Sequence, residues 1–141
     1  MGLILDTSVL IAAEKRQFDL LGLFTEYPAE PFFIAAITAA ELLHGVERAR
    51  PPSRREARSC FVEAMLGQLE VIAFDLGVAR HHARLWADLE QCGTKIGSYD
   101  LLIAATALHG RHKLATLNTV EFRRVPSLIL VDLTPHTKPQ P

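Results

Sequence analysis

Ile4-Leu5-Asp6-Thr7-Ser8-Val9-Leu10 sets one acid between two apolar runs. Gly2 to Leu5 reads as a buried strand, and Ser8 to Lys15 as a helix that Thr7 or Ser8 can cap. Asp6 therefore falls at a strand-to-helix junction. Similar settings return twice. Thr38-Ala39-Ala40-Glu41-Leu42 follows the apolar run Phe32 to Ala36, and Ser98-Tyr99-Asp100-Leu101-Leu102-Ile103-Ala104-Ala105 opens a helix ending near Gly110. Burying a carboxylate costs free energy unless a partner compensates it. Three such acids on separate elements point to one meeting place, with a divalent cation as the partner.

Outward from these stretches, the chain keeps alternating strands and helices. The helix opened by Thr38 runs to about Ala49, where Pro51-Pro52 stops it, and Ser53 can cap another through about Leu66. Glu70 to Phe74 is strand-like. Asp75 caps a helix over Leu76 to Gln91, with Gly93 at its C′ position. Lys113 to Leu117 and Ser127 to Val131 read as the last strands. This pattern predicts an α/β domain over residues 1–133. It has three α/β/α layers and a mostly parallel sheet of about five strands. The Pro-rich polar tail, residues 134–141, is expected to be disordered. Ligands of such sheets bind beyond the carboxyl ends of the strands. Asp6, Glu41, Asp100 and Asn118 could all collect there, with Glu41 and Asp100 in first turns of helices.

Composition sets limits. With 141 residues, 49% apolar and 22% charged, the chain can bury a core without disulfides. Its 15 Lys and Arg nearly cancel 16 Asp and Glu, so any nucleic-acid attraction must be local. Cys60 and Cys92 match no zinc spacing and read as core residues in a reducing compartment. No secretory signal is visible, and no apolar run approaches the roughly 18 residues that span a bilayer. A cytoplasmic protein without membrane contact is expected.

Each acid has a simpler reading. Thr38-x-x-Glu41 fits a capping box. Asp100 in a first turn favours the helix dipole. Asp6 could be an ordinary turn residue. Together these readings need three coincidences, whereas Asp75, with no chemistry around it, reads as an N-cap alone. Two carboxylates about 4 Å apart repel by roughly 4 kcal/mol at an effective dielectric of 20. Mg²⁺ or Mn²⁺ reverses that sign, prefers oxygen ligands and activates water for phosphodiester hydrolysis.

The order of motifs, completed by Ala115-Thr116-Leu117-Asn118-Thr119-Val120-Glu121-Phe122-Arg123-Arg124-Val125-Pro126, resembles the PIN-domain ribonucleases. Within them it is most similar to the VapC toxins of bacterial VapBC toxin–antitoxin pairs, from Leu3 to about Leu133. The resemblance implies a PIN-like fold and a Mg²⁺- or Mn²⁺-dependent endoribonuclease. Asp6, Glu41 and Asp100 match the family's central acids, and Thr7, Ser8 and Thr116 match residues that orient the site. Many members carry a fourth Asp where this chain has Asn118, with Glu121 three residues on. Either Glu121 supplies the fourth charge, or the second metal binds only with RNA phosphate present. On this reading Asp6 and Asp100 are the principal metal ligands. Glu41 acts through water or helps deprotonate it, and Asn118 and Glu121 complete the second-metal side.

The resemblance further implies an RNA substrate, a VapB-like antitoxin seated in an apolar groove, and a homodimer. Phe18, Leu20, Leu21, Leu23 and Phe24 are core, or help form that groove or a dimer contact. Arg48, Arg50, Arg54, Arg55 and Arg58 form either a solvated turn or an RNA-phosphate surface, and Arg123 and Arg124 are a second candidate beside the site. His44 reads as a surface residue. His81 and His82 lie on a helix with no third ligand at metal spacing. The alternatives are a housekeeping RNA-processing PIN nuclease and a catalytically degenerate PIN binding module, for which Asn118 speaks.

Overall fold

The computed structural model describes residues 1–138 of the chain. Four short apolar runs become strands: β1 (Leu3–Leu5), β2 (Phe32–Ala35), β3 (Glu70–Ile72) and β4 (Lys113–Ala115). They form one sheet in the order β3-β2-β1-β4, every pair parallel. Helices connect them: α1 (Thr7–Glu14), α2 (Leu20–Glu26), α3 (Ala36–Arg48), α4 (Pro52–Gln68), α5 (Leu76–Gln91), α6 (Ser98–Gly110) and α7 (Thr119–Phe122).

Side chains of a strand alternate between faces, and here both faces are covered. Leu3, Leu5 and Ile34 join one core with Leu10 of α1, Leu23 of α2, Leu42 of α3 and Val62 of α4. Ile4, Ala35 and Leu114 join the other with Leu85 of α5, Ile103 of α6 and Phe122 of α7. The result is the expected three-layer α/β/α sandwich. No helix among the described residues is long and apolar enough to cross a membrane.

Winding runs from β1 outward to β3 and then returns across β1 to β4, so the strand order reverses between β1 and β4. That reversal opens a crevice at the carboxyl ends of the two strands, the usual ligand site of an open parallel sheet.

Several local expectations are corrected. Ser127–Val131 forms no fifth strand. It makes one bridge, Leu114 with Leu130, because Ser127 takes a left-handed turn (φ 67°) that limits pairing. Helix α3 starts at Ala36, two residues before Thr38. Glu41 therefore lies in the second turn and makes no capping box. Asp6, not Thr7 or Ser8, holds the N-cap position of α1, yet its side chain bonds no helix amide. Pro51 and Gly97, not Ser53 and Ser98, hold the N-cap positions of α4 and α6. The tail is ordered in its first part: Thr134–His136 makes a 3₁₀ turn, and Thr137 bridges Phe18. Residues 139–141 lie outside the described residues. Cys60 and Cys92 are exposed free thiols, on the outer side of α4 and at the C-cap of α5. Asp75 caps α5 as read, accepting from the Val78 amide at 2.9 Å.

Candidate active site

The crevice is built from four elements. The end of β1 supplies Asp6, whose backbone amide pairs with Ala115 of β4 at 2.9 Å. That pairing fixes Asp6 beside Thr116. The Asp6 carboxylate is 3% exposed, and its Oδ2 accepts from Thr116 Oγ1 at 2.6 Å and Ser8 Oγ at 2.7 Å. Two hydroxyl donors on one oxygen hold a buried carboxylate in a single orientation and offset part of its lost hydration.

Thr7 tethers Glu41. Its Oγ1 lies 2.9 Å from Glu41 Oε1 and 3.1 Å from Thr38 Oγ1. Thr38 is fully buried. Its role was hidden in the sequence, because Thr-x-x-Glu reads equally well as a cap.

Asp100 stands in the first turn of α6. Asn118 Nδ2 donates to Asp100 Oδ2 at 3.3 Å and to Glu121 Oε2 at 3.5 Å. Glu121 also accepts from the Gly97 amide. A Cβ on residue 97 would come within 3.3 Å of Glu121 Oε1, a tight contact, so glycine eases the approach of this loop to Glu121. Thr116 closes the arrangement, accepting from the Asn118 amide at 2.9 Å, while Leu117 N donates to Ser8 Oγ at 3.1 Å.

The electrostatics show an excess of negative charge. Asp100 is pushed up to about 6, first by burial and then by the carboxylates of Asp6, Glu121 and Glu41, against the Asn118 amide. Glu41 also lies above the usual carboxylate range, chiefly through burial. The Thr7 hydroxyl opposes that shift and the Asp6 charge adds to it. No lysine or arginine forms a salt bridge with these acids among the described residues. An all-oxygen, mutually repelling donor set suits a hard divalent cation. No three such side chains converge tightly enough to cage an ion unaided among the described residues. Mg²⁺ keeps several waters and needs few protein ligands, so the residues fit it.

The arginines behave differently from the acids. Arg55 pairs with Glu47 at 2.9 Å, and Arg58 reaches Glu14 at 3.3 Å and the Gly45 carbonyl at 3.4 Å. Arg58 thus ties α4 to α1 and α3. Arg48, Arg50 and Arg54 are exposed and form no ion pair among the described residues. Arg124 donates to the Lys95 carbonyl at 2.9 Å, and Arg123 is exposed. In the early apolar patch Phe18 and Leu23 are core, and Leu21 is the exposed member.

Thr116→Val tests the cradle. The change leaves Asp6 Oδ2 short of one donor and the Asn118 amide without its acceptor. If Asp6 ligates a metal as the sequence suggests, an activity loss of about 10–100-fold is expected, the usual cost of removing a partner that orients a ligand. The accompanying stability loss, read from a urea midpoint, should be about 1–3 kcal/mol.

Known proteins resemble this chain over most of its length. The PIN domain model matches residues 3–128. Ribonuclease VapC of Rickettsia bellii is 34% identical over 128 residues, covering 91% of this chain and 93% of that protein. The tRNA(fMet)-specific endonuclease VapC of Salmonella typhimurium is 31% identical, covering 91% and 95%. Among solved structures, VapBC2 from Rickettsia felis bound to a promoter DNA fragment superposes with a TM-score of 0.84. It is 32% identical and covers 93% of this chain and 98% of its own.

Proposed function

This chain belongs to the PIN-domain family, and on that premise we propose that it is an endoribonuclease toxin that hydrolyses RNA phosphodiester bonds. The carrying observation is the cluster of Asp6, Glu41, Asp100 and Glu121 at the β1–β4 crevice, where burial first and the neighbouring carboxylates second push Asp100 up to about 6. Its relatives are named ribonucleases and a tRNA-specific endonuclease.

Mg²⁺ or Mn²⁺ would be held by Asp6 and Asp100, with Glu41 reached through water and Asn118 and Glu121 on the far side. Such an ion supplies an acidified water and charge compensation for the phosphate. The chain's own residues do the rest. Thr116 and Ser8 fix the Asp6 carboxylate. Thr7 aims Glu41, whose raised affinity for protons suits it to take one from the attacking water. Asn118 holds Asp100 and Glu121 together without adding a further charge. Trp86, His82 and Lys95, with Ser98 and Leu101 of α6, line a groove of about 620 Å³ along α5 and α6. Unpaired bases stack on such aromatic faces, with cations meeting the phosphates.

The partner reading rests on similar support. Solved relatives include VapBC complexes. Here a cleft of about 210 Å³, lined by Leu10, Ile11, Leu42, Phe61 and Val62, opens beside Glu41. An apolar side chain projecting from a helix of a VapB-like antitoxin would suit it, as an anchor in the helix-in-groove mode. Exposed Phe74 and Leu76 at the start of α5 offer a homodimer contact. An RNA substrate fits a cytoplasmic activity.

Purified, antitoxin-free protein incubated with total RNA should give discrete products in Mg²⁺ or Mn²⁺ and none in EDTA. Absence of cleavage by well-folded protein at several metal concentrations would replace the nuclease by a binding role.

A further inference from the structure

A second group of ligating side chains lies at the opposite end of α6 from Asp100. The distance along the helix is about 14 Å at 1.5 Å per residue. His109 occupies the last turn of α6. Its ring rests on Gly77 in the first turn of α5, where a Cβ would come within 2.5 Å of Cε1 and 2.6 Å of Nε2. The absent side chain makes room for the imidazole and sets its direction. One turn further along α5 stands His81. Its Nδ1 lies 3.2 Å from Nδ1 of His109, with the ring planes at 66°.

Two imidazole nitrogens at this separation cannot both present bare lone pairs, so a proton or a cation must lie between them. A tetrahedral ion holding imidazole nitrogens at 2.0–2.1 Å sets two of them about 3.3 Å apart. The observed Nδ1–Nδ1 separation of 3.2 Å matches that spacing.

We infer that His81 and His109 form a two-histidine site for a divalent transition-metal ion, on the α5–α6 face and separate from the acidic crevice. No third Asp, Glu, His or Cys side chain joins these two at ligating distance among the described residues, so water would fill the remaining positions. Imidazole selects Zn²⁺, Ni²⁺ or Cu²⁺, whereas carboxylates select Mg²⁺ or Mn²⁺. The two sites therefore sort ions by ligand softness. The carbonyl end of α6 adds a favourable negative potential for a cation.

The test is equilibrium dialysis of the tag-free chain against Ni²⁺, with excess Mg²⁺ present to occupy the acidic crevice. Wild type should take up one equivalent of Ni²⁺. His81→Gln and His109→Gln should each lose it, with cleavage of RNA in Mg²⁺ unchanged. His82→Gln, which alters a neighbouring imidazole facing Trp86, should keep it. Circular dichroism of each variant separates site loss from unfolding. No uptake by wild type, or uptake retained in both folded site variants, would overturn the inference.

Discussion

Asp6→Asn and Asp100→Asn are each expected to lower RNA cleavage by well over the roughly 100-fold that loss of an outer-shell partner costs, with the fold retained. Asn keeps the shape of Asp and removes the charge. At position 6 the side chain stays buried between Ser8 and Thr116. Both partners are hydroxyls, which rotate to donate or accept, so the substitution leaves few bonds unmade. At position 100 the change relieves repulsion from Asp6, Glu121 and Glu41. The activity loss is therefore expected without unfolding. It comes from a weaker hard-ion ligand and poorer compensation of the charge that develops on the phosphate. Single-turnover cleavage of RNA in Mg²⁺, beside a urea unfolding curve for each variant, checks this. Wild-type cleavage by Asp100→Asn would remove Asp100 from the ligand set. Loss of activity with loss of the folded baseline would make the residue structural.

The acids were legible in the sequence because each interrupts an apolar run. A charge in such a run calls for a partner, and three of them narrow the choice of partner. The parallel sheet was legible for a related reason: β1 and β2 read Leu-Ile-Leu and Phe-Phe-Ile-Ala, apolar on both faces, as covered strands do. What stayed hidden depended on distant residues. Thr38 looks like a helix cap until α3 is seen to begin at Ala36, which turns its hydroxyl toward Thr7. Arg58 looks like one of a basic run until α1 brings Glu14 to it. His81 and His109 become neighbours through the packing of α5 on α6, which no local spacing records. The lost fifth strand belongs here too. Ser127–Val131 has strand-like residues, but the backbone at Ser127 limits pairing to one bridge.

Without metal, the folded chain is expected to lose stability between about pH 4 and pH 6, and Mg²⁺ should restore it. Asp100 titrates at an ordinary 3.8 when unfolded and at about 6 when folded. The folded state thus holds the Asp100 proton more tightly, and protonation favours folding. This contribution is fully present below the unfolded value and disappears as pH rises through the folded one. Glu41 shifts in the same direction. Asp100 is half-buried, so solvent screening reduces the effect, and ionising it should cost the fold about 1–2 kcal/mol. Other groups titrate over the same range, so the useful quantity is the difference between wild type and Asp100→Asn. In urea unfolding without metal, the variant should match wild type near about pH 4 and exceed it near about pH 7.5. Saturating Mg²⁺ should raise wild type more than the variant, because binding to the folded state alone stabilises it by mass action and the variant has lost a ligand. Equal stability of the two proteins at the higher pH would mean that neither burial nor the neighbouring acids disfavour the Asp100 charge in the folded state. The case for a cation at the crevice would then rest on the donor chemistry alone.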